Sequence, residues 1–210
     1  VFDVGTFTIG ARKSVGEVTI AAGGDFELGS DSDRTALYVG RNNVDTGSNN
    51  LGTLDLSGGS SFTAYLSSLT VGQKSGGGTG TAQGVVTLAD TNLIDVSGTI
   101  LVGDSPDGAQ TGFTSSIALG RDNTIYASTL TLGGRKSNAE MALPAGGALT
   151  LGQASQRTDL NIARNNVDTG TTINATLDTT AGTFDAVLGA VIIGHKSGGG
   201  TGSATGTLSM

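Results

Sequence analysis

The chain has 210 residues, among them 36 glycines, two prolines and no cysteine or tryptophan, and its 11 basic against 18 acidic side chains give a net charge of −7. Without cysteine there is neither a disulfide framework nor a thiolate metal site, and the low charge and scarce proline set the chain apart from ordinary disordered sequence. Glycine lacks the every-third-residue spacing of collagen, and an acidic, aromatic-poor surface argues against nucleic acid as a partner.

The longest mainly apolar run, residues 186–194, is far shorter than the ~20 residues of a membrane-spanning helix. No charged segment followed by an apolar one opens the chain, so no signal peptide is expected. The first residue is Val1 rather than methionine, as expected of a processed chain or a fragment.

In chain order the first predicted strands are VFDV (1–4) and FTIG (7–10), followed by the polar loop ARKS (11–14). LYVG (37–40) leads into RNNVDTGSNN (41–50), SFTA (61–64) follows, and LTVG (69–72) leads into QKSGGGTGTAQ (73–83). VVTL (85–88) and LIDV (93–96) flank the turn ADTN (89–92), and ILVG (100–103) precedes the loop DSPDGAQTG (104–112). TIYA (124–127) comes next, then LTLG (130–133) with GRKS (134–137) and LNIA (160–163) with RNNVDTG (164–170). TFDA (183–186) and VIIG (191–194) with HKSGGGTG (195–202) complete the series.

Two periods run through this list. RNNVDTG recurs at an offset of 123 and KSGGGTG at 122, so residues 6–128 form one long repeat and 129–210 a partial second. Within it, words of the form apolar–x–apolar–Gly recur at spacings of 30, 32, 31, 30, 30 and 31. Their first positions hold Phe7, Leu37, Leu69, Ile100, Leu130, Leu160 and Val191, and their third positions hold Ile9, Val39, Val71, Val102, Leu132, Ile162 and Ile193. Two large apolar columns flanking a mixed one are the period-2 signature of a strand with one face inward. The following glycine suits a turn, and Ala163 breaks that column, so one corner is expected not to need it. A further apolar column is read as Phe2, Phe62, Ile94, Ile125 and Phe184. Three short strands per ~31 residues predict an all-β, right-handed parallel β-solenoid of about seven rungs, residues 1–210 forming a single body. A β-propeller would need four strands per ~40–50 residues.

Individual side chains point to little chemistry. His195 is replaced by Gln73 in the other repeat, so it reads as a solvated loop residue. Asp31 and Asp33 have the spacing of a calcium site, but their counterpart GQASQ (152–156) carries no carboxylate. KSGGGTG places lysine before its glycines, the reverse of a phosphate-binding loop. RNNVDTG reads as an ordered corner in which Asn43 or Asp45 bonds backbone groups and Arg41 pairs with a neighbouring rung; a recognition edge for sugars or another fibre is the other reading. Lys13, Lys74, Lys136 and Lys196 read as surface charges laddering against carboxylates. No catalytic, cofactor-binding or metal-ligating residue is assigned, and the chain is expected not to be an enzyme.

Met210 aligns with Leu88 and Val1 with Leu93, so the two ends hold complementary parts of a rung. Val1, Phe2, Val4, Leu208 and Met210 are therefore the candidate contact between chains stacked head to tail, the other reading being a longer solenoid cut at two exposed turns.

The Gly/Ser/Thr/Asn-rich rungs with LTVG- and LTLG-like words resemble the repetitive stalk and passenger regions of large bacterial surface proteins, namely autotransporter-type adhesins and extracellular filament proteins. That resemblance implies an extracellular or cell-surface β-solenoid with structural or adhesive duty. The expected function is a fibre, sheath or stalk that associates with itself. The alternative is a β-helix that binds or cleaves polysaccharide, with cell-surface glycans as partners.

Overall fold

Left-handed backbone at regular intervals shapes this chain. In the computed structural model, which describes residues 1–44, 47–167 and 170–210 (Asp107, Ala109 and Thr111 as backbone only), Gly10, Gly40, Gly72, Gly103, Gly133, Ala163 and Gly194 all have φ between 57° and 72°. Each stands at the end of an apolar–x–apolar word and turns the chain through a corner. This corner does without glycine, as expected: Ala163 itself takes the left-handed conformation, with φ 57°.

Among the described residues, seventeen strands lie between corners: β1 (Thr6–Ala11), β2 (Val15–Thr19), β3 (Asp25–Leu28), β4 (Thr35–Asn42), β5 (Asn50–Asp55), β6 (Ser61–Lys74), β7 (Ala82–Thr87), β8 (Thr91–Val96) and β9 (Thr99–Ala118). They continue with β10 (Asp122–Tyr126), β11 (Thr129–Ala142), β12 (Ala148–Leu151), β13 (Thr158–Asn165), β14 (Ile173–Asp178), β15 (Thr183–Ala186), β16 (Leu188–Lys196) and β17 (Ala204–Ser209). Every pairing between them is parallel, and none joins strands adjacent in sequence. The architecture is a parallel β-solenoid of about six turns, close to the seven rungs expected. Among the described residues no helix is long and apolar enough to cross a membrane.

The strands form three stacks. The first runs through β1, β4, β6, β9, β11, β13 and β16, with Phe7, Leu37, Leu69, Ile100, Leu130, Leu160 and Val191 in one register column. Ile9, Val39, Val71, Val102, Leu132, Ile162 and Ile193 form the parallel column two residues on. The second stack runs through β2, β5, β7, β9, β11, β14 and β17 and supplies a column of Val18, Leu54, Val86, Ile117, Met141, Leu177 and Leu208. β6, β9 and β11 are long because each bends through a corner and serves two stacks. DSPDGAQTG, expected as a loop, accordingly lies within β9, where Ser105 and Gln110 pair with β11.

The third stack corrects the remaining apolar column. Phe62 is in register with Phe26 and Asn92, and Phe184 with Leu149, whereas Ile94 and Ile125 stack on Ala64 and Leu151. Phe2 bridges to Leu28 and so falls in the second set. The expected column is two columns, two residues apart. A shift of two keeps every side chain on the same face, so alternation alone could not detect it.

The core is closely packed. A void among Leu37, Leu54, Phe62, Ile94, Ile125 and neighbouring apolar side chains has about 10 Å³ of free space, at the lower limit for one water. The second stack reaches the corners through small residues, with Gly52, Gly84, Ala139, Ala175 and Gly206 facing them. A Cβ on Gly84 would lie 2.3 Å from the Val39 carbonyl oxygen.

Candidate functional site

The two end faces expose what the middle of the solenoid buries. At one end Phe2, Phe7, Val18, Ile20, Phe26 and Leu56 line an apolar hollow of about 480 Å³. Phe2 is 52 % exposed, and its ring lies 5.5 Å from Phe26 and 5.9 Å from Phe7. At the other end Val191 and Ile193, in register with buried Leu160 and Ile162, are 47 % and 44 % exposed. These two members of the predicted inward columns face solvent because no strand covers β16, and Phe7 is only partly buried for the same reason at β1. Of the expected contact residues, Val1, Phe2, Val4 and Met210 are exposed, while Leu208 packs partly against the core.

The polar edge between the first two stacks is built differently from the sequence expectation. Lys74 is not a surface charge. It is 1 % exposed, in register beneath Asn42, and its ammonium donates to the carbonyl of Gly78 in its own glycine-rich loop. Asn42 donates to the carbonyls of Ser48 and Thr81 and accepts from the Val44 N–H. Asn165 and Lys196 repeat this pairing, with Lys196 donating to Val167, Gly198 and Gly199 carbonyls. RNNVDTG and KSGGGTG are thus interlocking parts, each loop pinned from inside by the first residue to point inward after the corner. Asn42, rather than Asn43, does the bonding, and Asp45 lies outside the described residues. Among the described residues Arg41 forms no ion pair with a carboxylate; it lies 4.2 Å over the ring of Tyr38.

The loops leave an indentation where a corner is short. Between the long excursions that follow Gly103 and Ala163, the corner Gly133–Lys136 is brief, and a cleft of about 180 Å³ opens above it. Its walls are Leu101, Asp104, Thr131, Gly134, Arg135, Arg164 and Asn166. Arg135, at φ 56°, holds the buried Asp104 in a two-point ion pair, its Nε 2.7 Å from Oδ1 and its Nη2 on Oδ2. Sequence reading missed this cleft, although the unequal loop lengths foreshadow it.

The corner between the third and first stacks carries a longer segment after Gly29 and again after Gly152. From the first, Arg34 crosses the Tyr65 ring at 5.8 Å and reaches Asp95, donating to both its carbonyl and its carboxylate at 3.0 Å. From the second, Gln156 reaches back to the Val96 carbonyl at 3.0 Å. Hydrogen bonding by Asp95, above all, raises the Arg34 pKa, so this strap stays charged at any ordinary pH. Asp31, one of the two spaced carboxylates, also pairs with Arg34, and His195 is exposed in register with Arg164. Among the described residues no three His, Cys, Asp or Glu side chains group as metal ligands.

Comparison with known proteins adds no assignment: no family model, no curated protein and no solved structure matches the chain.

Proposed function

We propose that this chain is a structural rod, a segment of an extracellular or cell-surface fibre, sheath or stalk with no enzymatic duty. The observation that carries the reading is the first stack, seven strands deep, in which the Phe7-to-Val191 and Ile9-to-Ile193 columns run in parallel register without a polar interruption. Such a ladder resists bending because each rung is bonded along its length to the next. The rods extend by stacking, with a second copy of the chain as partner. The exposed Val191 and Ile193 and the half-buried Leu208 end columns that continue into the Phe7, Ile9 and Val18 columns of the next copy, giving an open, heterologous contact.

Sedimentation and negative-stain electron microscopy over a concentration series test the stacking. Unbranched rods in multiples of roughly 30 Å, the height of about six turns, are expected. A monodisperse monomer at every concentration would refute it. Gold-labelled antibody on intact source cells tests the location, and labelling only after lysis would refute that.

A further inference from the structure

We propose that the cleft above the corner Gly133–Lys136 is a binding site for an acidic saccharide, seating one ring and its carboxylate or sulfate group. The cleft is built by this chain's own irregularities. In the register column Gln73, Asp104, Gly134, Arg164, the glycine supplies no side chain. A Cβ there would lie 2.8 Å from Asp104 Oδ1, so Gly134 keeps the floor open.

Two guanidinium groups stand on neighbouring turns of a chain whose net charge is −7. Arg34, Arg121 and Arg135 are spent on carboxylates, whereas Arg164 is exposed and makes no ion pair among the described residues. The first long repeat shows why. There the counterpart Arg41 rests on Tyr38, but Asn161 stands in place of that tyrosine and bonds Thr131 instead, at 3.3 Å. Arg164 has lost its aromatic seat and, among the described residues, is left as an unpaired planar donor, the group suited to a carboxylate or sulfate.

Arg135 is fixed on the opposite side by Asp104 and by a left-handed backbone that a non-glycine residue adopts only at a conformational cost. The remaining walls match a polyol. Thr131 offers a hydroxyl, Asn166 an amide, Asp104 carboxylate oxygens, and Leu101 an apolar surface for a ring face. The volume of about 180 Å³ is below the roughly 300 Å³ at which drug-sized pockets begin and suits a single ring. This site does not depend on the rods stacking.

The test is an NMR titration following the Gly134 and Arg135 amides. The probes are trigalacturonate, a heparin-derived hexasaccharide, maltohexaose and sodium sulfate. One of the two acidic oligosaccharides is expected to shift these amides saturably, and which one distinguishes carboxylate from sulfate. Maltohexaose is expected to leave them unmoved, and sulfate alone to bind about tenfold more weakly or worse. Arg164→Gln is expected to weaken binding about tenfold or more, while Arg157→Gln, outside the cleft, leaves it unchanged. Arg164 is exposed, so its replacement leaves the fold intact, checked by the remaining amide shifts. Failure of both acidic probes, equal binding by Arg164→Gln, or sulfate binding as tightly as the oligosaccharides would each overturn the proposal.

Discussion

Asn92 and Asn123 are buried in register on adjacent turns of the third stack, in a column otherwise made of Phe26, Phe62, Leu149 and Phe184. Replacing each with leucine, the apolar residue closest in shape, should have opposite consequences. Asn123 donates to the Gly120 carbonyl at 2.7 Å and the Ala148 carbonyl at 2.9 Å, and its oxygen accepts from the Gly120 N–H at 3.0 Å and from Asn92 at 2.9 Å. Asn123→Leu strips both groups of buried Gly120 of these bonds, at about 1–3 kcal/mol each. The apolar gain of about 1.5–3 kcal/mol leaves a net loss of about 1–3 kcal/mol. Asn92 makes fewer bonds, to the Ala89 carbonyl at 2.8 Å and to Asn123, and its own oxygen is buried without a partner. Asn92→Leu removes that orphan, deprives one carbonyl and adds an apolar contact to Phe62, so stability should hold or rise by about 1 kcal/mol. Urea unfolding followed by far-UV circular dichroism measures both. An Asn92→Leu protein as unstable as Asn123→Leu, or an Asn123→Leu protein as stable as the parent, would show that hydrogen-bond satisfaction does not set the energetics of this column.

Gly40→Ala should cost about 2–5 kcal/mol, from the left-handed backbone and from a Cβ placed 2.0 Å from the Gln83 carbonyl oxygen; thermal melting reads it. Lys74→Met should leave the circular dichroism spectrum unchanged but speed proteolysis in 75–81, because the loop loses its internal post; unaltered cleavage would contradict that role. Arg34→Gln should lower stability by about 1–2 kcal/mol and accelerate amide exchange at Ser97 and its neighbours, with little response to salt since both partners are mostly buried. The carboxylates of Asp55 and Asp178 sit below the usual 3.8, held there by hydrogen bonds from Ser57 and Thr180. Their contribution is complete above the unfolded value and is lost as pH falls through the lower folded one. Acid melts should therefore steepen below about pH 4, and Asp55→Asn should flatten that limb.

The first stack was legible because its alternation is anchored by a corner every ~31 residues. Phe7 through Val191 could be aligned by counting from the glycine. The third stack has no such anchor: its corners vary in length, so alternation alone places Phe62 opposite Ile94, one pleat from its true partner Asn92. Lysine is almost never fully buried, so sequence alone reads Lys74 as a surface charge. Yet it and Asn42 follow their corner glycines by two residues, the position at which alternation resumes inward. The Arg34 strap and the cleft at Arg164 depend on contacts across one or two turns, which no local window contains.

Where the partial second repeat overlaps the first, the left-handed residues of the first return in it: Gly10 with Gly133, Arg12 with Arg135, Gly23 with Gly146, Gly29 with Gly152, Gly40 with Ala163, Gly72 with Gly194 and Gly78 with Gly200. Four turns at ~4.8 Å make this a cassette roughly 19 Å tall. The last turn of the first cassette meets the first turn of the second through the parallel β9–β11 pairing, so an in-frame duplication of one cassette repeats a junction of that kind. Length becomes a heritable variable that recombination can change in steps of about 19 Å, each step retaining the corners that shape every turn.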